Sequence, residues 1–171
     1  MNFSQALRPA IAGALLLGAA SVASFAQGTS VSLGVQDHDS STPVEITSEE
    51  LELDQETGTA IFTGDVIVRQ GAITMTTQRM TVEYAEDAET GKNEIQVIRM
   101  FGGVTFVSDA EAAESQSAVY SLASDILVMD GNVLVTQGAT ALSADKLTYN
   151  LNTGDGRMEG SVKTVLQQDN N

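Results

Sequence analysis

An all-β fold is predicted by three features of this 171-residue chain: short stretches of alternating apolar and polar residues, turn signals between them, and little helical pattern. Val66 and Val68, for example, alternate with polar neighbours at a period of two, which is typical of a strand with one buried face. The same alternation recurs at Met80, Val82 and Tyr84; Val104 and Phe106; Ala118, Tyr120 and Leu122; Ile126 and Val128; Val133 and Val135; and Leu147 and Tyr149.

Glycine-containing dipeptides and tetrapeptides predict the turns between these strands. They are Thr57-Gly58, Gln70-Gly71, Thr90-Gly91-Lys92-Asn93, Asp130-Gly131, Gln137-Gly138 and Thr153-Gly154. Helix is expected in one short turn at most, at Thr47-Ser48-Glu49-Glu50, which has the spacing of a capping box. Residues 110–118 tolerate a helix by composition, but they have no apolar stripe and are predicted as turn and strand.

The N-terminus has the pattern of a secretory signal peptide over residues 1–26. Arg8 precedes an apolar run, residues 10–20, which is too short to span a bilayer stably, and Ser24-Phe25-Ala26 supplies small residues for cleavage after Ala26. Residues 27–43 are rich in Gly, Ser, Thr and Asp and are expected to be a disordered leader. Residues 44–167 form the predicted domain, and residues 168–171 form a tail. The mature chain is expected in the periplasm.

The composition excludes several classes of function. Residues 27–171 contain 7 Lys and Arg against 23 Asp and Glu, a net charge of −16, which disfavours nucleic acid and other phosphate-rich partners. The chain has no cysteine and a single histidine, His38, so neither a cofactor nor a metal site of the usual kind is expected. No nucleophile lies in a catalytic motif, and we predict no enzymatic activity and no catalytic residue.

An internal repeat organises the predicted strands. Residues 62–84 align without gaps on residues 129–151, and Gly64, Val66 and Val68 match Gly131, Val133 and Val135. Weaker copies begin at Gly102 and Gly160. A repeat of paired short strands with a period near 30 residues is typical of an array in which each unit buries its apolar face against its neighbours.

These segments resemble the OstA-type repeats of the LptA family of lipopolysaccharide-transport proteins. The resemblance lies in Val-Glu-Ile-Thr-Ser-Glu-Glu-Leu-Glu-Leu at 44–53, Phe-Thr-Gly-Asp-Val-Ile-Val-Arg-Gln-Gly at 62–71, Asp-Gly-Asn-Val-Leu-Val-Thr-Gln-Gly at 130–138 and Thr-Gly-Asp-Gly-Arg-Met-Glu-Gly at 153–160. It covers roughly residues 43–167. Each motif is weak alone, and their order makes the set specific.

The resemblance implies a twisted, incompletely closed β-jellyroll whose two sheets form a V around an apolar groove for acyl chains. It implies that protomers stack head to tail and link an inner-membrane LptC-like protein to an outer-membrane LptD-like protein. The implied lipid-binding residues are Val44, Ile46, Val66, Val68, Met80, Val82, Val104, Phe106, Tyr120, Leu122, Val133 and Val135. The implied edge-strand interface is Val44, Glu45, Ile46, Thr47, Val162, Lys163, Thr164, Val165 and Leu166.

Other interpretations of the same residues remain open. In a β-sandwich, inward-facing residues such as Phe106 and Tyr120 ordinarily fill a closed core, and a β-solenoid scaffold would use them so without binding lipid. An LptC-like accessory protein is a further alternative, although such proteins keep an N-terminal membrane helix. A hydrolase would need a polar pocket with a histidine, which this composition disfavours.

Overall fold

The computed structural model describes residues 39, 41–86, 91–108 and 111–166, together with the backbone of residues 29–32. The predicted signal peptide, His38 and the predicted tail lie outside the described residues. In the part that is described, no helix combines the length and the apolar character needed to cross a membrane.

The described chain folds into antiparallel strands and one turn of 3-10 helix, Leu122–Ser124. The strands are β1 (Thr29–Ser32), β2 (Glu45–Thr47), β3 (Glu50–Asp54), β4 (Thr59–Gln70), β5 (Ile73–Glu86), β6 (Asn93–Ser108), β7 (Glu111–Ser121), β8 (Ile126–Gln137), β9 (Thr140–Asn150), β10 (Asp155–Glu159) and β11 (Lys163–Leu166). They form a single open sheet in the order β1-β10-β9-β8-β7-β6-β5-β4-β2, with β3 also pairing with β4 and β11 with β9. The all-β prediction is confirmed.

The strands β4 to β9 are longer than the sequence pattern predicts because each continues through an irregularity near its middle. The register shifts there in every pair from β4–β5 to β8–β9. Pairs of residues with positive φ mark the line of irregularities at 64–65, 102–103, 131–132 and 160–161, the four places where the repeat begins. The interpretation of Asp130-Gly131 as a turn is therefore wrong, since both residues lie inside β8.

Gly131 shows why glycine occupies this line. Its φ is +82°, a backbone conformation that residues with a side chain rarely adopt. A Cβ added at this position would lie 2.5 Å from Oε1 and 3.0 Å from Cβ of Gln116 on β7. The backbone of one strand thus passes close to a polar side chain of its neighbour. Bulges of this kind bend a strand and increase its twist, and the repeated bend folds the sheet on itself.

The bulge line divides the sheet into two half-sheets. The first half-sheet contains β2, residues 66–70, 73–77, 104–108, 111–115, 133–137 and 140–144, and β11. The second half-sheet contains β3, residues 59–63, 79–86, 93–101, 117–121, 126–130 and 146–150, β10 and β1. Phe106 of the first packs edge-to-face on Tyr149 of the second, with ring centroids 6.5 Å apart, so the two half-sheets face each other. This arrangement is the predicted jellyroll.

Apolar rows line the space between the half-sheets, because inward-facing residues on neighbouring strands lie in register. In the second half-sheet one row runs across Phe62, Met80, Met100, Ala118, Met129, Leu147 and Met158. In the first, a row runs across Ile46, Val68, Met75, Phe106, Ala113, Val135 and Leu142. Most of these side chains are less than 3% exposed. Each large one stabilises the fold by about 1.5–3 kcal/mol.

A second local prediction is wrong, and the prediction for residues 110–118 is confirmed over 111–118, the part that the structure describes. Thr47 ends β2 and Glu50 begins β3, so the expected helical turn is absent there, and the 3-10 turn lies at Leu122–Ser124 instead. Within residues 27–43, most of which were expected to be disordered, Thr29–Ser32 pairs with β10 as β1. Residues 111–118 belong to β7, as the lack of an apolar stripe indicated.

The open sheet leaves strand edges at both ends. At one end β2 borders the first half-sheet and β3 the second, and both pair with β4. At the other end β11 borders the first half-sheet beside β9, and β1 borders the second beside β10. Unpaired edge strands are templates for pairing with another chain.

Candidate functional site

A cavity of about 800 Å³ opens between the half-sheets, bordered by the segment before β2, the start of β6 and the turn after β7. It is lined by Ser41, Pro43, Val44, Glu94, Ile95, Gln96, Leu122 and Ala123. We call this opening the mouth. Val44 precedes β2 in the first half-sheet, whereas Ile95 and Leu122 belong to the second, and all three pack against the buried core. The mouth lies on the side of the V away from the bulge line, at the ends of the strands that are farthest from the bulges.

The residues predicted to bind lipid lie in one continuous apolar interior. Val44, Ile46 and Leu122 are half-buried and pack against the core. The other nine are Val66, Val68, Met80, Val82, Val104, Phe106, Tyr120, Val133 and Val135, which are at most 2% exposed. Of the predicted lipid-binding residues, Val44 and Leu122 therefore line the mouth. The buried ones belong to the apolar core behind it.

The other six residues that line the mouth, Pro43 and Ile95 among them, were not predicted from the sequence. Pro43 lies in the predicted leader, and Ile95 lies two residues after the predicted turn at 90–93, so neither was assigned to a strand. For Ile95 a signal was present, since Ile95 and Val97 alternate with polar Glu94 and Gln96 at the start of β6. The register shift between Glu83 and Tyr84 on β5 obscured which of these residues faces inward.

A hydrogen-bonded chain crosses the interior next to the mouth. The Tyr120 hydroxyl donates to Oε1 of Gln70 over 3.4 Å, and Nε2 of Gln70 donates to the carbonyl of Thr42 over 3.0 Å. Burial raises the pKa of Tyr120 far above its ordinary value, and the nearby negative charge of Asp125 raises it further. The phenol is therefore a neutral donor that joins the second half-sheet to the first.

Polar side chains continue from Gln70 along the rim of the first half-sheet. Ser108 on β6 and Glu111 on β7 are paired in register and buried, and Gln137 on β8 donates a hydrogen bond from Nε2 to Oε1 of Glu111. The second carboxyl oxygen of Glu111, Oε2, is buried without a hydrogen-bond partner. The site thus has an apolar interior and a polar rim, as an amphipathic ligand requires.

The described residues contain no group of three or more His, Cys, Asp or Glu side chains placed to hold a metal ion. The chemistry that the site offers is apolar burial with hydrogen bonding at its rim.

The residues predicted to form the edge interface lie at opposite ends of the sheet. Glu45, Ile46 and Thr47 form β2, and Val44 directly precedes it. Lys163, Thr164, Val165 and Leu166 form β11, and Val162 directly precedes it. The structure adds β3 and β1 as edges of the second half-sheet, and neither was predicted from the sequence pattern.

Comparison with known proteins identifies the family. Residues 45–155, most of the described chain, match the model of the family described as LptA/(LptD N-terminal domain) LPS transport protein. The chain belongs to this LPS transport family. An uncharacterized protein of Rhizobium meliloti (strain 1021) is 29% identical over 162 residues, covering 92% of this chain and 86% of that protein.

One further relative supports the family assignment, and a solved structure supports the fold. The lipopolysaccharide export system protein LptA of Escherichia coli (strain K12) is 32% identical over 117 residues, covering 65% of this chain; the chain matches 61% of the length of that relative. The crystal structure of LptH, the LptA homologous periplasmic component of the lipopolysaccharide transport device of Pseudomonas aeruginosa, superposes with a TM-score of 0.66. It covers 77% of this chain and 99% of that one at 18% identity, so it supports the fold.

Proposed function

We propose that this protein carries lipopolysaccharide through the periplasm by holding its acyl chains between the half-sheets, and that it transports the lipid without transforming it. The observation that carries the proposal is an interior of apolar rows that opens at the mouth beside Val44, Ile95 and Leu122, in a member of an LPS transport family. The names of the matched relatives, an export protein and a periplasmic component, support the same role and compartment.

Acyl chains dominate the binding in this proposal. Each methylene removed from water contributes about 0.8 kcal/mol without directional requirements, so a chain can slide along apolar rows at little cost. The net charge of −16 on residues 27–171 opposes the phosphates of the head group. The acyl chains therefore enter the interior, and the head group stays outside it at the mouth.

Access to the interior follows from how the half-sheets are joined. In the described chain, the strands connect them at the bulge line, whereas side-chain contacts such as Tyr120–Gln70 and Phe106–Tyr149 hold them together farther out. Side-chain contacts of this kind separate more easily than a continuous backbone. We propose that the half-sheets part at the mouth and that acyl chains enter beside Leu122 and spread along the rows.

The same topology allows the protein to act as a bridge. From β2 to β11 the first half-sheet contains eight described strands, and from β3 to β10 the second also contains eight. Because the number is even and every pair is antiparallel, a copy stacked head to tail continues the antiparallel alternation in both half-sheets. We propose that an LptC-like protein and an LptD-like protein pair with the two ends by the same strand addition.

Binding of purified lipopolysaccharide tests the proposal, with the deacylated polysaccharide as a comparison ligand. The wild type should bind the acylated form saturably and the deacylated form at least about 100-fold more weakly, since burying a few methylenes already exceeds the 2.7 kcal/mol that this factor represents. Ile95→Asp at the mouth should weaken binding, and Leu134→Asp, at an exposed apolar residue of the outer face, should not. Equal binding of both ligands, or none, would favour a scaffold with a closed core.

A further inference from the structure

The free edge of β10 in the second half-sheet is covered by β1, a strand from the chain's own N-terminal segment. Thr29, Ser30, Val31 and Ser32 pair in register with Met158, Arg157, Gly156 and Asp155. On its other side β10 is fully paired with β9. The first half-sheet has no corresponding cover among the described residues, since β11 pairs with β9 alone.

The place taken by β1 is the place that a stacked copy needs. β3 borders the opposite end of the same half-sheet and runs antiparallel to β4, as β1 runs antiparallel to β10. In a head-to-tail stack that keeps the apolar rows continuous, Leu51 of the second copy falls opposite Met158, where Thr29 lies now. Leu53 of that copy falls opposite Gly156, where Val31 lies now.

We propose that the β10 edge is a docking surface for β3 of a second copy of this chain, and that β1 competes with that copy for the edge. This inference rests on the bridging role proposed above and specifies how one of its contacts is controlled. β3 matches all five residues of β10, whereas β1 pairs with four. β3 also brings two leucines that are 51% and 66% exposed in the isolated chain.

Charge sets the balance between the two strands. β3 carries Glu50, Glu52 and Asp54, whereas the β9–β11 end has Lys146, Arg157 and Lys163 beside three acids, Asp145, Asp155 and Glu159. In the stack Arg157 faces Glu52, but Asp155 faces Asp54 and Glu159 faces Glu50. Apolar contact therefore favours stacking while like charges oppose it, so the second copy displaces β1 at high protein concentration and more readily in salt.

Variants that release or lock β1 test the competition. Ser30→Pro/Val31→Pro removes two consecutive backbone donors, one of which must face β10 because strand donors alternate in direction. Ser32→Cys/Asp155→Cys places two cysteines at paired positions in a chain that has no other cysteine, so an oxidised bond joins β1 to β10. The reduced form of this variant is its own control.

Sedimentation velocity of the full exported chain provides the readout. If β1 occupies the edge for more than nine-tenths of the time, the proline variant should self-associate about tenfold or more tightly than the wild type. The oxidised variant should associate more weakly than its reduced form. Adding Leu51→Asp/Leu53→Asp to the proline variant should abolish the gain, and adding Leu134→Asp should not. Unchanged association in the released and locked variants would overturn the proposal, as would a gain that survives loss of both leucines.

Lipopolysaccharide binding by the same proteins separates this result from the proposed function. The oxidised variant should bind lipid as the wild type does, because no residue that lines the mouth belongs to β1 or β10 or pairs with either strand. Loss of lipid binding in every protein would contradict the carrier role while leaving the association data to decide the competition. Normal lipid binding with unchanged association would overturn the competition alone.

Discussion

Tyr120 on β7 donates its hydroxyl hydrogen bond to Gln70 on β4, which lies 50 residues earlier in the chain and in the facing half-sheet. Gln70 in turn donates to the carbonyl of Thr42, ahead of β2. These contacts connect both sides of the V to the segment that lines the mouth. These hydrogen bonds lie between the apolar interior and the opening through which a lipid would enter.

Tyr120→Phe should lower the free energy of unfolding by about 1 kcal/mol, the usual net contribution of one hydrogen bond. The ring is retained, so its packing among the apolar rows is unchanged. Chemical denaturation measures the difference, and Tyr84→Phe, at a tyrosine that is 37% exposed, is the matched control with an expected change within about 0.5 kcal/mol. Equal effects of the two substitutions would show that the Tyr120–Gln70 hydrogen bond does not stabilise the fold.

The same tyrosine predicts the response to alkaline pH. Burial raises the pKa of Tyr120 in the folded state above that of the unfolded chain, where a tyrosine titrates near about 10. The folded state therefore holds this proton more tightly, and its stabilising contribution is complete below about pH 10 and decreases as the pH rises above that value. Denaturation between pH 8 and 11 should show stability falling above about pH 10, with a shallower fall in Tyr120→Phe. An identical slope in both proteins would contradict this assignment.

The bulge line gives a prediction about backbone conformation. Gly131→Ala should destabilise the protein by about 3 kcal/mol, because the new Cβ meets Gln116 in addition to the strain of a positive φ. Gly138→Ala, in a hairpin turn with φ of +54° and no atom within 4 Å of the added Cβ, should cost about 1–2 kcal/mol from strain alone. Thermal and chemical unfolding of both variants measures the loss of stability in each. Equal losses in Gly131→Ala and Gly138→Ala would show that the bulge line tolerates a side chain.

The sequence was sufficient for the strand content because alternation at Val66 and Val68, or Val133 and Val135, follows directly from one buried face. It was insufficient at the bulge line. Asp130-Gly131 has the composition of a hairpin turn. A bulge inside a long strand also needs a glycine at positive φ, so the local sequence is the same in the two cases. Whether the chain reverses or bends there depends on the neighbouring strand, here Gln116 on β7, which the local sequence does not specify.

The cover over β10 was missed for a related reason. Thr29–Ser32 contains one apolar residue and lies between Gly28 and the Leu33-Gly34 pair, so its tendency to form a strand by itself is weak. Its partner, Asp155–Glu159, lies more than 120 residues later. Edge pairing of this kind depends on which backbone groups the finished sheet leaves open. The mouth residue Pro43 was missed likewise, since it gains its role only when the half-sheets face each other.

Edge pairing predicts the effect of proline at the two ends of the first half-sheet. Ile46→Pro on β2 and Val165→Pro on β11 should each abolish cross-linking to a neighbouring protomer, because a ladder donor is lost and the edge is reshaped. Circular dichroism should still report a folded β-protein, since the central strands β4 to β9 are untouched. If both variants are folded and assemble normally, strand addition is the wrong mechanism for the bridge.

A photo-crosslinking residue at Leu122, compared with the same residue at Leu134, tests the central claim most directly. Leu122 lines the mouth and packs against the apolar interior, whereas Leu134 is exposed on the outer face of β8 between buried Val133 and Val135. If lipopolysaccharide passes between the half-sheets, illumination in living cells should produce a lipopolysaccharide adduct at Leu122 and none at Leu134. Equal adducts at the two positions, or an adduct at Leu134 alone, would contradict the proposal that the interior is the path of the lipid.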